Sequence, residues 1–560
     1  MAVENLITEH IDIWTSAVKT KSASGRGSNK KLELYGVKKL RELILELAVR
    51  GKLVPQDPND EPASVLLERI KDERRAEAKN GKLKEVKAIS ENEFPYKLPI
   101  NWSFVRLEEI IQISSGKNLT AKKMDTSGKI PVYGGNGVTG IHSESNVSEK
   151  TIVIGRVGFY CGSVHLTPAC AWVTDNAFIT KYSRANLDED FLVWLLKATN
   201  LGENDSATAQ PVISGKKVYP IVVALPPKEE QHRIVAKVDE LMALCDQLEQ
   251  QTEASIEAHQ VLVTTLLDTL TNSADADELM QNWARISEHF DTLFTTEESI
   301  DQLKQTILQL AVMGKLVPQD PNDEPASELL KRIAGEKAQL VKEKKIKKQK
   351  ALPPISEDEK PFELPSGWEW ERIGTFGVVG TGATPSRSNP KYWDDPKYNW
   401  VSSGETSELF VSTTKEKVSE LAIQETNVSI YPSGTLIVAM YGQGKTRGQI
   451  TELTEPAGTN QACAAIQLIE KNESHKDFVK LYFRKSYEEL RSNAAGGAQP
   501  NLNVGKVQST VIAVPPLNEQ QRINTKVNEL LTVCDHLKAH FEAVQSTQLH
   551  LTDAIVEQVV

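Results

Sequence analysis

Fourteen residues occur twice without a change. GKLVPQDPNDEPAS runs from Gly51 to Ser64 and returns from Gly314 to Ser327. The match continues backward, with Leu40, Ile44, Leu45, Leu47, Ala48 and Val49 facing Leu303, Ile307, Leu308, Leu310, Ala311 and Val312. A second pair is LPINW (98–102) and LPSGW (364–368). A third sets PPKEEQHRIVAKVDELMALCDQL, from Pro226, against PPLNEQQRINTKVNELLTVCDHL, from Pro515. A fainter fourth pairs EHID (9–12) with EHFD (288–291). The order is the same in both copies, so the 560-residue chain is one unit of about 280 residues used twice, not a solenoid of short repeats.

Composition narrows the class. With 39% hydrophobic and 25% charged residues, the chain can bury several cores and is not disordered throughout. No apolar run approaches the roughly 18 residues of a membrane span; runs such as Ile221–Leu225 are far shorter. The opening MAVENLITEH is acidic and lacks a signal peptide's apolar stretch. Five scattered cysteines (Cys161, Cys170, Cys245, Cys463, Cys534), with no CxxC pair, fit reduced thiols, a cytoplasmic protein and no zinc. The net charge of −11 argues, at first, against a nucleic-acid partner.

The repeats read as helices. Ile234, Val238, Leu241, Cys245 and Leu248 alternate spacings of four and three. The second copy carries the pattern through Ile523, Val527, Leu530, Cys534, Leu537, Phe541, Val544, Gln548, Leu551 and Ile555. That is a heptad seam of a long helix in a coiled coil, entered after Pro226-Pro227 and Pro515-Pro516. Val37, Leu40, Ile44 and Leu47 before Gly51, with their counterparts before Gly314, predict shorter helices stopped by glycine.

Between the repeats lie inserts rich in Gly, Thr, Ser, Asn and aromatics, with short β-branched runs such as Thr151–Ile154, Phe178–Thr180 and Thr435–Val438. The expected fold class is therefore α+β, in two pseudo-symmetric halves. Each half combines a compact α/β-to-β-rich domain with long helices packed as an antiparallel coiled-coil spacer. The divisions fall at 1–93 (helical), 94–227 (first domain), 228–360 (central helical region), 361–516 (second domain) and 517–560 (terminal helix). Thr20–Lys31 and the basic run Lys342–Lys350 read as linkers, the latter as a tether or solvated helix face. TIVIGRVGFYCGSV followed by WVTDNAFIT in the first insert parallels TLIVAMYGQGKTRGQI followed by GTNQACAAI in the second. Ala209-Gln210-Pro211 and Lys217-Val218 parallel Ala498-Gln499-Pro500 and Lys506-Val507. The two inserts share a frame and differ in their loops.

Catalytic motifs are scarce. Ala439 followed by Gly444-Lys445-Thr446 meets the permissive phosphate-loop pattern, but such a loop needs a helix after it, and Arg447–Thr451 reads as a strand. The histidines show no metal-ligand spacing, and there is no nucleophile elbow or dinucleotide fingerprint.

The whole arrangement resembles the specificity subunit of type I restriction–modification enzymes. Its sharpest motifs are LPPKEEQHRI (225–234), VPPLNEQQRI (514–523) and GATPSRSNPKYW (382–393); the doubled DEPAS segment and the length resemble the type IB subfamily. The resemblance implies two target-recognition domains, each reading one half of a split, asymmetric double-stranded DNA site, with the helices fixing the unread gap. It also implies two methylation subunits that bring S-adenosylmethionine and flip an adenine, restriction subunits that bring ATP and Mg, and no catalysis in this chain.

Direct readout needs polar side chains on loops that reach base edges. The candidates are Lys117, Asn136, Arg156, Thr174 and Asn176 in the first domain. In the second they are Ser386, Arg387, Ser402, Ser403, Tyr441, Gln443, Lys445, Arg447, Asn460 and Gln461. Asn176 and Asn460 serve equally well as turn caps. Charge no longer objects: Lys plus Arg against Asp plus Glu is 13 to 11 over 94–227 and 15 to 17 over 361–516, which leaves the −11 to the helical regions. The identical fourteen-residue segments could dock two copies of one partner, or be a remnant of duplication. Two rival readings are a coiled-coil scaffold with protein-binding domains and a nucleotide-dependent enzyme using Lys445.

Overall fold

The computed structural model describes residues 3–21, 31–77, 86–125, 127–158, 160–201, 212–274, 276–441, 446–492 and 502–560. They form two compact units, one of residues 1–255 with 544–560, the other of residues 256–543.

In the first unit, helix α1 (Tyr35–Val49) buries Val37, Leu40, Ile44 and Leu47 on one face. It stops at Gly51, whose φ of 67° suits a residue without a Cβ. A Cβ there would also stand 2.5 Å from the Pro99 ring. The repeated segment then leads into α2 (Ala63–Glu77). The first insert opens with β1 (Ser103–Arg106) and β2 (Ile111–Ser115). It continues through β3 (Ile130–Gly134), β4 (Gly137–His142), β5 (Ile152–Gly155) and β6 (Val164–Leu166). It closes with β7 (Trp172–Val173), β8 (Ala177–Tyr182), α3 (Glu189–Ala198) and β9 (Val222–Leu225), which pairs back with β1. Besides the β1–β9 pair, two larger sheets result, ordered β2-β8-β5-β6 and β4-β3-β7, and β5 is buried along its whole length. The long helix α4 (Lys228–Thr271) comes next.

The second unit repeats this plan with α5 (Glu297–Val312) and α6 (Ala326–Lys342). Its strands are β10 (Glu369–Arg372), β11 (Gly377–Thr381), β12 (Tyr398–Val401), β13 (Phe410–Val411) and β14 (Glu416–Val418). They continue as β15 (Leu436–Ala439), β16 (Ile450–Leu453), β17 (Ala457–Thr459) and β18 (Cys463–Leu468), then α7 (Glu473–Ser492) and β19 (Val511–Val514). The long helix α8 (Leu517–Val559) ends it. Its sheets are β11-β18-β15-β16-β13 and β14-β12-β17, the first pattern with one strand added at the edge. Even the parallel pair recurs, β3 with β7 and β12 with β17. The inserts do share a frame, although the paired Ala-Gln-Pro motifs at 209–211 and 498–500 lie outside the described residues.

The three strongest repeated motifs meet at one node in each unit. Glu230, buried at the start of α4, accepts from Trp102 Nε1 (2.9 Å) and Gln56 Nε2 (2.7 Å), while Arg233 grips Asp60 at 2.5 Å. In the other unit Glu519 accepts from Trp368 Nε1 (3.0 Å) and Gln319 Nε2 (2.8 Å), and Arg522 grips Asp323 at 2.6 Å. Each copy of the segment also caps a helix end, where backbone carbonyls lack partners. Lys52 Nζ reaches the carbonyls of Val559 (3.3 Å) and Val560 (2.8 Å), and Lys315 Nζ those of Thr271 (2.8 Å) and Ser273 (2.9 Å).

The heptad reading of α8 needs correction. Val544 and Leu551, expected in the seam, are 38% and 44% exposed. The inward positions run Cys534, Leu537, Phe541, Gln545, Gln548 and Thr552, two steps of four in succession. In α4 the same break falls at Leu248, Thr252, Ile256 and His259. An extra step of four rotates the inward face, and each break sits where its helix passes from one unit to the other. Beyond it α8 meets new neighbours: Asp553 accepts from Tyr35 Oη at 2.7 Å, and Thr552 is fully buried. One linker expectation changes as well. The ends of Thr20–Lys31 belong to a short antiparallel pair, Lys19–Lys21 with Lys31–Glu33, while the basic run Lys342–Lys350 starts at the last residue of α6 and continues beyond the helix, in line with a tether.

Candidate nucleic-acid interface

In the first domain, β2 and β5 end where β8 begins, with Ser115 opposite Phe178 and Gly155 opposite Ala177. Three loops therefore emerge at one end of the sheet and are stitched together by backbone hydrogen bonds. Arg156 N–H donates to the Asn176 carbonyl (2.8 Å), Lys117 N–H to Val173 (3.0 Å), Thr174 N–H to Tyr133 (2.9 Å), and Ala177 N–H to Thr174 (3.1 Å). Gly116 makes this approach possible, because a Cβ there would lie 2.3 Å from the Thr174 carbonyl oxygen. The β3–β4 turn at Gly135-Asn136 packs onto the same rim: a Cβ on Gly135 would lie 2.2 Å from the Val157 oxygen.

This geometry brings Lys117, Asn136, Arg156 and Asn176 together. Lys117, Asn136 and Asn176 are exposed. Arg156 is half-buried, with Nη1 on Ser115 Oγ (3.3 Å) and its guanidinium 5.4 Å from the Phe178 ring centre. Thr174 cannot meet a base edge. It is 3% exposed and braces the loop from beneath. Sequence reasoning missed Asp175 and Asn118, whose carboxylate and carboxamide pair at 3.0 Å on the same rim; the polar runs around Lys117 and Asn176 were their only signal.

The second domain places its loops at the same end of the equivalent sheet. Thr381 faces Ala464 and Ala439 faces Cys463, while the Asn460 N–H donates to Val401 (3.1 Å) and those of Met440 and Tyr441 to Ala462 (2.7 and 3.3 Å). Here most candidate head groups are engaged within the chain. Asn460 Oδ1 accepts from Ala462 N–H at 3.0 Å, the turn-capping role foreseen for it. Gln461 accepts from the Thr384 hydroxyl. Ser402 caps a short helical turn, with its Oγ donating to Glu405 at 2.9 Å. Ser386 Oγ lies 2.8 Å from Ser388 Oγ.

Arg387 makes a two-pronged pair with Glu416 (2.5 and 2.7 Å) and stacks 3.9 Å over Trp393, a residue of the quoted GATPSRSNPKYW motif. The guanidinium holds the Glu416 carboxyl below the usual carboxylate range. Tyr441 is exposed, Ser403 is half-buried beside Ser402, and Arg447 is half-buried on the loop leading into β16. Gln443 and Lys445 lie outside the described residues. Because β16 runs antiparallel to β15 directly after that loop, the helix a phosphate loop requires is not there.

Among the described residues, no cluster of His, Cys, Asp and Glu has the arrangement of a metal site, and no helix is long and apolar enough to cross a membrane. The site is a pair of polar rims on matching scaffolds. Residues 99–258 and 365–543 match the family model described as the type I restriction modification DNA specificity domain. The chain belongs to the type I restriction enzyme specificity-subunit family. It is 42% identical to the type I restriction enzyme EcoEI specificity subunit of Escherichia coli, over 100% of this chain and 99% of the relative. It is 40% identical to the EcoAI specificity subunit of the same organism, over the same shares of both chains. A chain of a solved structure described as the "structural basis underlying complex assembly and conformational transition of the type I R-M system" is 16% identical. That match spans 83% of this chain and 99% of the solved chain, with a TM-score of 0.49. Family membership rests on the family model and the two full-length relatives.

Proposed function

We propose that this chain is the DNA-reading subunit of a type I restriction–modification complex, each recognition domain reading one half of a split, asymmetric site. The observation that carries the reading is the repetition of one scaffold with different residues on the same rim. Lys117, Asn136, Arg156 and Asn176 crown the first, and Ser403, Tyr441 and Arg447 stand on the second, with Ser386, Arg387, Ser402, Asn460 and Gln461 engaged among themselves and their neighbours. One frame with two rims suits two unlike half-sites. The domains are near neutral, so much of the cationic hold on phosphate falls to partner subunits.

Catalysis is assigned to those partners: two methylation subunits with S-adenosylmethionine, and restriction subunits with ATP and Mg. The repeated segment offers them two like surfaces. Lys52, Gln56, Asp60 and their counterparts are spent on the node and the helix caps, whereas Asp57, Pro58 and Asn59, with Asp320, Pro321 and Asn322, take no part in either and are exposed. Pro58→Arg and Pro321→Arg are each expected to cost the complex one methylation subunit, read by native mass spectrometry.

Methylome sequencing with and without this gene tests the main reading. A methylated bipartite motif that vanishes with the gene supports it; an unchanged methylome sinks it.

A further inference from the structure

The two rims differ in how many of their readers are free. In the second domain the side-chain oxygens of Asn460 and Gln461, the Arg387 guanidinium and the Ser402 hydroxyl are each taken up by a neighbour. In the first, Asn136 and Asn176 are exposed, and neither carboxamide has a hydrogen-bond partner among the described residues. Their backbones, by contrast, are held. The Asn176 carbonyl accepts from Arg156 N–H at 2.8 Å, and the turn carrying Asn136 abuts the same loops, with a Cβ on Gly135 falling 3.4 Å from the Asn176 oxygen. A free two-atom head on a fixed loop loses little entropy on docking and makes its hydrogen bonds only with a ligand.

A carboxamide offers one acceptor beside one donor. In the major groove that pair matches adenine alone, with its N6 amino donor beside its N7 acceptor. Guanine presents two acceptors, and cytosine only a donor. We propose that Asn136 and Asn176 are the base-reading residues of the first domain and that each reads an adenine in that domain's half-site. Arg156 acts as a positioning residue that holds the Asn176 loop, and exposed Lys117 contacts phosphate. The proposal rests on the DNA-reading function above.

The test uses the complete methylation complex carrying Asn136→Ala, Asn176→Ala or Asn136→Asp. The last keeps a turn-forming residue before Gly137, so folding is retained while the donor is lost. Methylome sequencing is expected to show the adenine requirement relaxed at one position of one half-site per variant, with the other half-site and the spacing unchanged. In binding assays, 7-deazaadenine at that position should weaken the wild-type complex roughly five- to 150-fold and the matching variant hardly at all. Full retention of the motif by Asn136→Asp and both alanine variants would overturn the assignment, as would equal loss at every position of the site. A wild-type complex that yields no bipartite motif would instead refute the DNA-reading function.

Discussion

Replacing Glu519 by alanine should unlock the node of the second unit. The buried carboxylate accepts from Trp368 Nε1 at 3.0 Å and from Gln319 Nε2 at 2.8 Å. Gln319 is exposed and would turn to water, but Trp368 is only 4% exposed, so its indole N–H would be stranded at a cost of about 1–3 kcal/mol. One buried methylene, Cγ, is lost as well, at about 0.8 kcal/mol. The sum is about 2–4 kcal/mol, or a fall in Tm of roughly 4–16 °C for a domain of this size. Glu519→Gln should cost far less. Burial holds the Glu519 pKa above its ordinary value, so the charge is itself a burden at neutral pH, and the amide oxygen can still accept from the indole. The assay is thermal unfolding followed by tryptophan fluorescence, with Trp368→Phe and the Glu519→Ala/Trp368→Phe pair. If the indole–carboxylate bond is the unit lost, the double variant falls short of the sum of the singles by more than about 0.5 kcal/mol. Additive losses would refute the argument.

Gly314→Ala should destabilise the second unit by about 2 kcal/mol or more, measured by chemical denaturation. Its φ of 71° costs an L residue about 1–2 kcal/mol, and the new Cβ would lie 2.5 Å from the Pro365 ring and 2.9 Å from the Trp368 indole. His475 is fully buried, donates from Nδ1 to Gln520 Oε1 (3.0 Å), and burial depresses its pKa. The folded form therefore binds fewer protons than the unfolded, and stability is expected to fall as pH drops through the ordinary value of 6.5. His475→Asn should flatten that slope in a series of melts from pH 8 to 5. Deleting residues 549–560 removes Asp553 from Tyr35 and Val559 and Val560 from Lys52. Hydrogen exchange should then quicken in α1 and leave α5 unchanged.

Most of the frame could be read in the sequence because its determinants are local or duplicated. The stripe Val37, Leu40, Ile44, Leu47 and its glycine stop state a helix and its end, and the doubled motifs state that this happens twice. The node was not legible. Gln56, Trp102 and Glu230 are far apart in the chain, and only their joint recurrence as Gln319, Trp368 and Glu519 hinted that they belong together. The phase break was missed because Val544 and Leu551 are apolar while Gln545 and Thr552 are not, and a polar inward residue makes sense only once Tyr35 and its neighbours are in place. On the rims, residue type alone could not separate a free Asn176 from Asn460, since both are Asn before a strand, and the difference lies in where the side-chain oxygen points.

That difference shows how the fold can hold its shape while its readout varies. The bonds that seat Asn176 and Lys117 on the first rim join backbone atoms: Arg156 to Asn176, Lys117 to Val173, Thr174 to Tyr133. Glycines make the close approaches, at Gly116 against Thr174 and at Gly382 against Thr459. Neither kind of contact constrains what Asn136, Asn176 or Lys117 must be. In the second rim, side chains take over part of that work, with Glu416 fixing Arg387 and Glu405 fixing Ser402. A change of residue there disturbs a partner as well as any ligand. The first domain is thus the one in which specificity can shift by single substitutions at small cost to the fold, whereas the second requires paired changes such as Arg387 together with Glu416.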